Sequence, residues 1–486
     1  MSGRLDVVPK IAVAVAVGRP SRNRETAQER YSPRLRDWLY AEWSAFKQLE
    51  AEDDARIQQT SSRYDAFWSI EQLIGILTFL KQRFPDKVQL VDLSRRFGVS
   101  GLKHPLLAVK LSDQAELDED EPTIRFDGVH HACEPMGMMV ILELIFALLT
   151  QYETDPEVKR WVDNLEIWFI PVVNVDGYSW MRETIRDSPW WRKNLRDNNR
   201  DGRFEPTTDG VDLNRNYNFN WSSGDAIGAS WYFRGEAAGT EPEIALLTRL
   251  SREQNFTIGI SYHSYGEGVL YPWNGYTDPP DLDLIVSLGT ELAGAISREH
   301  GYGGYALSSL VGYLGQSSNW NYGELRTLDY TVEVGTDHIP HETMRSLGDA
   351  FIPGQTEQKT ETRIHRMAEQ QINGAKVLFR RMGGSQISGH LLDSQTGQGI
   401  NGTLDVTRLD GTASHQLEGD HVRPRRTDPK TGRFERLLHP GKYRLSFTAK
   451  GYQEAIITVD IPTSGNDHQP LRVPLKRRQA DQTLTY

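Results

Sequence analysis

Two short segments, far apart in the chain, constrain its fold more than any other feature. The first reads Gly128-Val129-His130-His131-Ala132-Cys133-Glu134-Pro135, and the second reads Ser261-Tyr262-His263-Ser264-Tyr265. Residues 123–129 predict a strand that delivers His131, with Glu134 at the turn into an apolar helix. Residues 257–262 predict a second strand with His263 at its end. Two imidazoles and one carboxylate form the ligand set of a catalytic zinc ion that keeps its fourth position open for water. A chain that uses them so must bring the two strand ends together. The same short pattern also suits a surface histidine beside a helix-starting glutamate, where a carboxylate favours the helix dipole.

Further segments favour the metal. Asn174-Val175-Asp176-Gly177 precedes Trp191-Arg192-Lys193-Asn194, and Gly210-Val211-Asp212-Leu213-Asn214-Arg215-Asn216-Tyr217 follows. Later come Gly315-Gln316-Ser317-Ser318-Asn319-Trp320 and the strand-like Tyr330-Thr331-Val332-Glu333-Val334. In this order and at these spacings, the chain resembles the zinc metallocarboxypeptidases of the carboxypeptidase A type over approximately residues 63–383.

The resemblance implies one zinc ion held by His131, Glu134 and His263, and hydrolysis of the C-terminal bond of peptides or proteins. A peptide bond is a poor electrophile and neutral water a poor nucleophile. Bound zinc addresses both, by lowering the pKa of its water and stabilising oxyanion charge. Glu333 matches the general base that takes a proton from the water and passes it to the leaving amine. Residues 328–334 are otherwise largely apolar and β-branched, so a glutamate there calls for a reason. Arg192 matches the arginine that polarises the scissile carbonyl. Asn214 and Arg215 match the pair that grips the terminal carboxylate, a group that guanidinium recognises bidentately. Asp212 matches the carboxylate that orients the first zinc histidine. Tyr265 falls among the substrate-binding residues.

The chain departs from the family pattern in places. Cys133 stands where the family commonly has an arginine that contacts substrate upstream of the cleaved bond. A thiol there can coordinate or oxidise, or simply fill space. The family's mobile tyrosine aligns with Val311, and Tyr313 takes its part if the loop is shortened. The position that sets side-chain preference falls on Ser318, with Leu270 and Thr331 as further lining. All three are uncharged, which predicts a neutral or hydrophobic preference unless an acid such as Glu267 reaches in. Asp197-Asn198-Asn199-Arg200-Asp201-Gly202 reproduces the start of a calcium loop, with Asp197, Asn199 and Asp201 as ligands, but Thr208 stands where the loop's final glutamate belongs. His130 neighbours a ligand, whereas His338, His341 and His365 suggest no second metal. The rival readings are a peptidase for unusual linkages such as peptidoglycan stem peptides, and a non-catalytic binding protein on the same scaffold.

A net charge of -11 with no basic block argues against nucleic acid as a partner. No stretch approaches the roughly 20 apolar residues of a membrane span. The single cysteine excludes an intramolecular disulfide. Residues 11–17 form an Ala/Val run too weak for a clear signal peptide, so an extracytoplasmic location is expected from the resemblance alone. Residues 1–62 are read as an N-terminal segment in which Leu35, Trp38, Leu39, Trp43, Phe46 and Leu49 recur at helical spacing. Residues 63–383 alternate helices and strands, as in an α/β fold with a mixed central sheet flanked by helices. The clearest helices are expected at 136–150, 281–300 and 356–382, and a clear strand at 166–173. After Gly383-Gly384-Ser385, residues 386–476 lose helical periodicity and resemble the transthyretin-like β-sandwich that follows the catalytic domain in several metallocarboxypeptidases. A tail, 477–486, completes the chain. Oligomeric state is not legible.

Overall fold

The computed structural model describes residues 67–184, 190–274, 278–311, 315–338, 355–384, 386–410, 422–462 and 470–478. The N-terminal amphipathic arm, Tyr313 and His341 lie outside these residues.

The central strands are β3 (Thr123–Gly128), β4 (Glu166–Ile170), β5 (Ile258–His263) and β8 (Leu328–Glu333). All but the last residue of β8 are buried, as expected of strands covered on both faces. β1 (Val88–Asp92), β2 (Leu107–Leu111), β6 (Gly268–Asn274) and β7 (Ala306–Val311) complete an eight-stranded mixed sheet in the order β1-β2-β4-β3-β5-β8-β6-β7. β4, β3, β5 and β8 run parallel, so β3, β5 and β8 end on one edge. Register pairs Gly128 with Tyr262, and His263 with Glu333. That pairing brings the distant segments together.

The helices begin with α1 (Ile70–Arg83), which carries a capping box between Ser69 and Gln72, and the short α2 (Leu93–Phe97). α3 (Met136–Gln151) is apolar on all sides, and every residue but Gln151 is buried. Its start presses against the sheet at two glycines. A Cβ on Gly137 would lie 2.9 Å from the Tyr262 carbonyl, and one on Gly128 would lie 2.8 Å from the Gly137 backbone. Larger residues would push Glu134 away from the strand ends. α4 (Pro156–Val162), α5 (Val175–Glu183), α6 (Pro242–Gln254), α7 (Leu282–Ala295), α8 (Ser317–Leu325) and the long α9 (Gln355–Met382) follow. The strand predicted to reach Val129 stops at Gly128, because Val129 turns into the left-handed region (φ 57). Its carbonyl accepts from Asn174 N at 2.9 Å, which holds the turn that aims His130 and His131. The helix expected over 281–300 ends at Ala295, and the strand expected over 166–173 ends at Ile170.

Beyond Gly384 come two small sheets. β10 (Thr403–Arg408), β11 (Arg425–Arg426), β13 (Gly441–Thr448) and β14 (Ala455–Ile461) form one; β9 (Gln386–Asp393), β12 (Arg433–Leu437) and β15 (Leu471–Leu475) form the other. Alternation along β13 turns Tyr443, Leu445 and Phe447 inward, where they meet Ile387, Leu391, Phe434 and Val473 in a core of their own. This sandwich docks on the larger unit through apolar and polar contacts, with Val422 and Leu437 joining the larger unit's core. Arg425 enters that unit, and Arg436 pairs with Asp281 at 3.1 Å. No single described helix is long and apolar enough to cross a membrane.

Candidate metal centre and active site

His131, Glu134 and His263 are all buried, and their ligand atoms lie within 4.8 Å of one another. His131 Nδ1 lies 2.8 Å from Glu134 Oε1, and His263 Nδ1 lies 2.9 Å from Glu134 Oε2. The two Nδ1 atoms are 3.1 Å apart. Ser264 N donates to Glu134 Oε2 at 3.2 Å and fixes the carboxylate. Burial alone would raise the Glu134 pKa, but the two histidines hold it well below the usual carboxylate range.

The outer nitrogens face oxygen: His131 Nε2 lies 3.3 Å from Asp212 Oδ1, and His263 Nε2 lies 3.3 Å from Ser261 Oγ. A cation among the three donors would take the two Nδ1 lone pairs and leave the ring protons on those outer sides. Two ring nitrogens and a carboxylate converging on one point make an N₂O donor set that fits zinc.

Asp212 caps the 3-10 turn Leu213–Arg215 by accepting from Asn214 N at 2.9 Å. Its other oxygen accepts from Arg192 Nε at 2.9 Å. Burial would raise Asp212, yet Arg192 and Arg215 hold it well below the ordinary range. Arg192 Nη1 reaches Glu134 Oε1 at 3.4 Å, so this cation borders the metal site. Arg215 Nη1 donates to the Asn214 carbonyl at 2.7 Å. Asn214 Oδ1 accepts from Ser317 N at 2.8 Å, leaving its amide nitrogen 3.4 Å from His263 Nε2.

Glu333, half-buried at the end of β8, is pushed up to about 8 by burial and by the Glu134 charge, against the pull of Arg192 and Arg215. Ser318 Oγ and Thr331 Oγ1 lie 3.0 Å apart and buried, with Leu270 beside Thr331 in the sheet. Glu267 does not join them, since its carboxylate accepts from Glu299 N at 2.6 Å. Tyr265 is half-exposed, its ring edge-on to His338 at 4.8 Å.

Sequence reasoning missed several neighbours. His338 bonds the Ser264 carbonyl at 2.9 Å and lies 3.8 Å from Glu134 Oε1, with Trp190 against its ring. Tyr232 places its ring within 5.1 Å of the Arg192 guanidinium and 5.6 Å of that of Arg215. An aromatic run, Trp231-Tyr232-Phe233, in an otherwise polar loop was the available signal. Cys133 is buried, and burial and the Glu134 charge raise its thiol pKa; its sulfur, Glu134 and His338 form a second group whose ligand atoms lie within 4.8 Å of one another.

The calcium expectation is not supported. Asp197 accepts from Arg200 N and Gly202 N, Asn199 Oδ1 from Asp201 N, and Asp201 from Arg203 N and Asn199 Nδ2. The loop's own donors take these oxygens, in the manner of Asx turns.

A family model described as zinc carboxypeptidase matches residues 74–362. A zinc carboxypeptidase of Saccharothrix mutabilis subsp. capreolus is 28% identical over 291 residues, covering 57% of this chain and 64% of the relative. An inactive metallocarboxypeptidase of Ajellomyces capsulatus is 27% identical over 265 residues, covering 52% of this chain and 42% of the relative. The chain thus spans less than two thirds of the length of either relative. The crystal structure of carboxypeptidase A from Helicoverpa armigera shares the fold, with TM-score 0.53 and 22% identity, over 69% of this chain and 80% of that one.

Proposed function

Because the chain belongs to the zinc carboxypeptidase family, we propose that it is a zinc-dependent exopeptidase that removes C-terminal residues from peptides or proteins. The observation that carries this reading is the meeting of the His131, Glu134 and His263 donors with the carboxyl of Glu333 at one sheet edge. The family includes a relative named inactive, but here ligands, acid–base group and arginines stand together.

Zinc held by the three donors supplies a water of lowered pKa and a Lewis acid for the carbonyl. Glu333 is the group placed to hold the proton of an attacking water and then pass it to the leaving amine. Its neighbours in the sheet hold it on the strand end, at the height of His263. Arg192, anchored through Nε to Asp212, turns its remaining donors toward the developing oxyanion. Arg215 and the Asn214 amide receive the terminal carboxylate, which limits cleavage to the chain end. Tyr265, whose ring is half-exposed, contacts the substrate.

The Ser318–Thr331 hydroxyl pair satisfies itself and presents no charge, which supports a neutral or hydrophobic side-chain preference. Ser318→Asp is expected to favour C-terminal Lys or Arg over Leu or Phe by about 10-fold or more, the worth of one charge-assisted hydrogen bond. An unchanged ratio of kcat/KM values would place the pocket floor elsewhere.

The direct test is hydrolysis of blocked dipeptides with varied C-terminal residues by the zinc-loaded protein. Free amino acid should be released, chelation should stop it, and zinc should restore it. No release from any L-substrate would defeat the plain carboxypeptidase reading.

A further inference from the structure

The two ligand histidines are oriented by different means. His131 faces Asp212 directly, whereas His263 has no carboxylate within reach of its outer nitrogen. Two groups approach His263 Nε2: Ser261 Oγ at 3.3 Å and Asn214 Nδ2 at 3.4 Å. Asn214 cannot accept the ring proton. Its oxygen is committed to Ser317 N at 2.8 Å, so the atom facing His263 is the amide nitrogen, itself a donor. The acceptor is therefore Ser261 Oγ.

That assignment fixes the next bond. Ser261 Oγ lies 2.6 Å from Asp127 Oδ1, and a carboxylate oxygen only accepts, so the hydroxyl donates to Asp127. Asp127 is paired with Arg125, whose Nε lies 2.9 Å from Asp127 Oδ2 and whose Nη2 reaches Asp329 at 2.7 Å. His130 completes the enclosure. Tyr217 OH meets its Nε2 at 2.8 Å, its Nδ1 lies 3.3 Å from Asp127 Oδ1, and its ring stacks on His263 at 5.4 Å. Asp127, His130, Ser261 and His263 are all at least 99% buried, so the links are shielded from bulk solvent.

We propose that Ser261 and Asp127 are positioning residues for the metal: a directional chain, His263 Nε2–H to Ser261 Oγ–H to Asp127, holds His263 with Nδ1 bare and aimed at the site. The proposal rests on His131, Glu134 and His263 being the metal ligands. Partners of this kind contribute about 10- to 100-fold to metal affinity. Spacing could not reveal this one, because its members come from β3 and β5 and meet only through sheet register, Asp127 opposite Ser261.

The test is zinc affinity of the full chain, measured without substrate by competition with a chromophoric chelator. Ser261→Ala is expected to weaken zinc binding about 10-fold or more while the thermal unfolding of the metal-free protein stays near wild type. Asp127→Asn should weaken it as well. Ser318→Ala, which also removes a buried hydroxyl but not from this chain, should leave zinc affinity unchanged. Affinity of Ser261→Ala within twofold of wild type, or an equal loss in Ser318→Ala, overturns the proposal. Wild-type protein that binds zinc but cleaves no peptide would defeat the exopeptidase reading alone and leave this one standing.

Discussion

Replacing Glu333 with glutamine is expected to lower kcat/KM for C-terminal hydrolysis by about 10³-fold or more, with zinc content and unfolding temperature unchanged. General acid–base groups contribute about 10² to 10⁴ in rate, and Glu333 is asked to serve both in attack and in departure of the amine. The substitution keeps the side chain's size and removes only its capacity to carry a proton. Glu333 pairs in register with His263 but is not among the ligands, so the metal should remain. Burial and the Glu134 charge disfavour its ionised form. A base must be ionised to act, so activity should fall as pH drops through the Glu333 pKa. A bound cation favours the carboxylate and moves that limb to lower pH. The acid limb of the kcat/KM profile should therefore vanish in any residual activity of the variant. Retention of a tenth or more of wild-type activity with bound zinc would remove Glu333 from the mechanism.

The residues whose chemistry is unusual for their surroundings were legible in sequence. A glutamate in the apolar run of β8, and two histidines at the ends of predicted strands, stand out because burial of such groups is costly without a partner. What order along the chain could not give was contact. Tyr232 acquires its place between Arg192 and Arg215 from a loop without periodicity, and His338 reaches Glu134 only after the turn beyond β8 folds back on Ser264. The loop at Asp197 misled for the opposite reason. Acids and asparagines at alternate positions serve a calcium loop and an Asx-turn loop equally, and only the hydrogen bonds tell which one formed. The left-handed Val129 was invisible too, since a β-branched residue predicts the strand to continue.

Arg425 carries the other large expected effect, and it was hidden in a two-residue strand with no pattern to mark it. Its buried guanidinium leaves the sandwich and donates to the carbonyls of Asn255 at 2.6 Å, Phe256 at 2.7 Å and Leu325 at 3.0 Å in the larger unit, and to Glu435 at 3.0 Å in its own. Burial lowers its pKa to about 10, which still leaves it charged at neutral pH. Removing it strands several buried acceptors at once, of which Phe256 O keeps the Thr327 hydroxyl at 2.7 Å. Each abandoned acceptor costs about 1–3 kcal/mol, so Arg425→Ala should destabilise the protein by about 3 kcal/mol or more. Lys430 offers the contrast. It also crosses the boundary, to Asp118, but both partners are more than half exposed. Solvent screens such a pair, and Lys430→Ala should cost no more than about 0.5 kcal/mol. Chemical denaturation of the two variants separates the alternatives. A large loss for Arg425 alone means that buried polar contacts, Arg425 beside the Arg436–Asp281 pair, hold the sandwich and surface ion pairs do not. Comparable losses would mean that the surface ion pairs share the load, and no loss in either would remove Arg425 as an anchor.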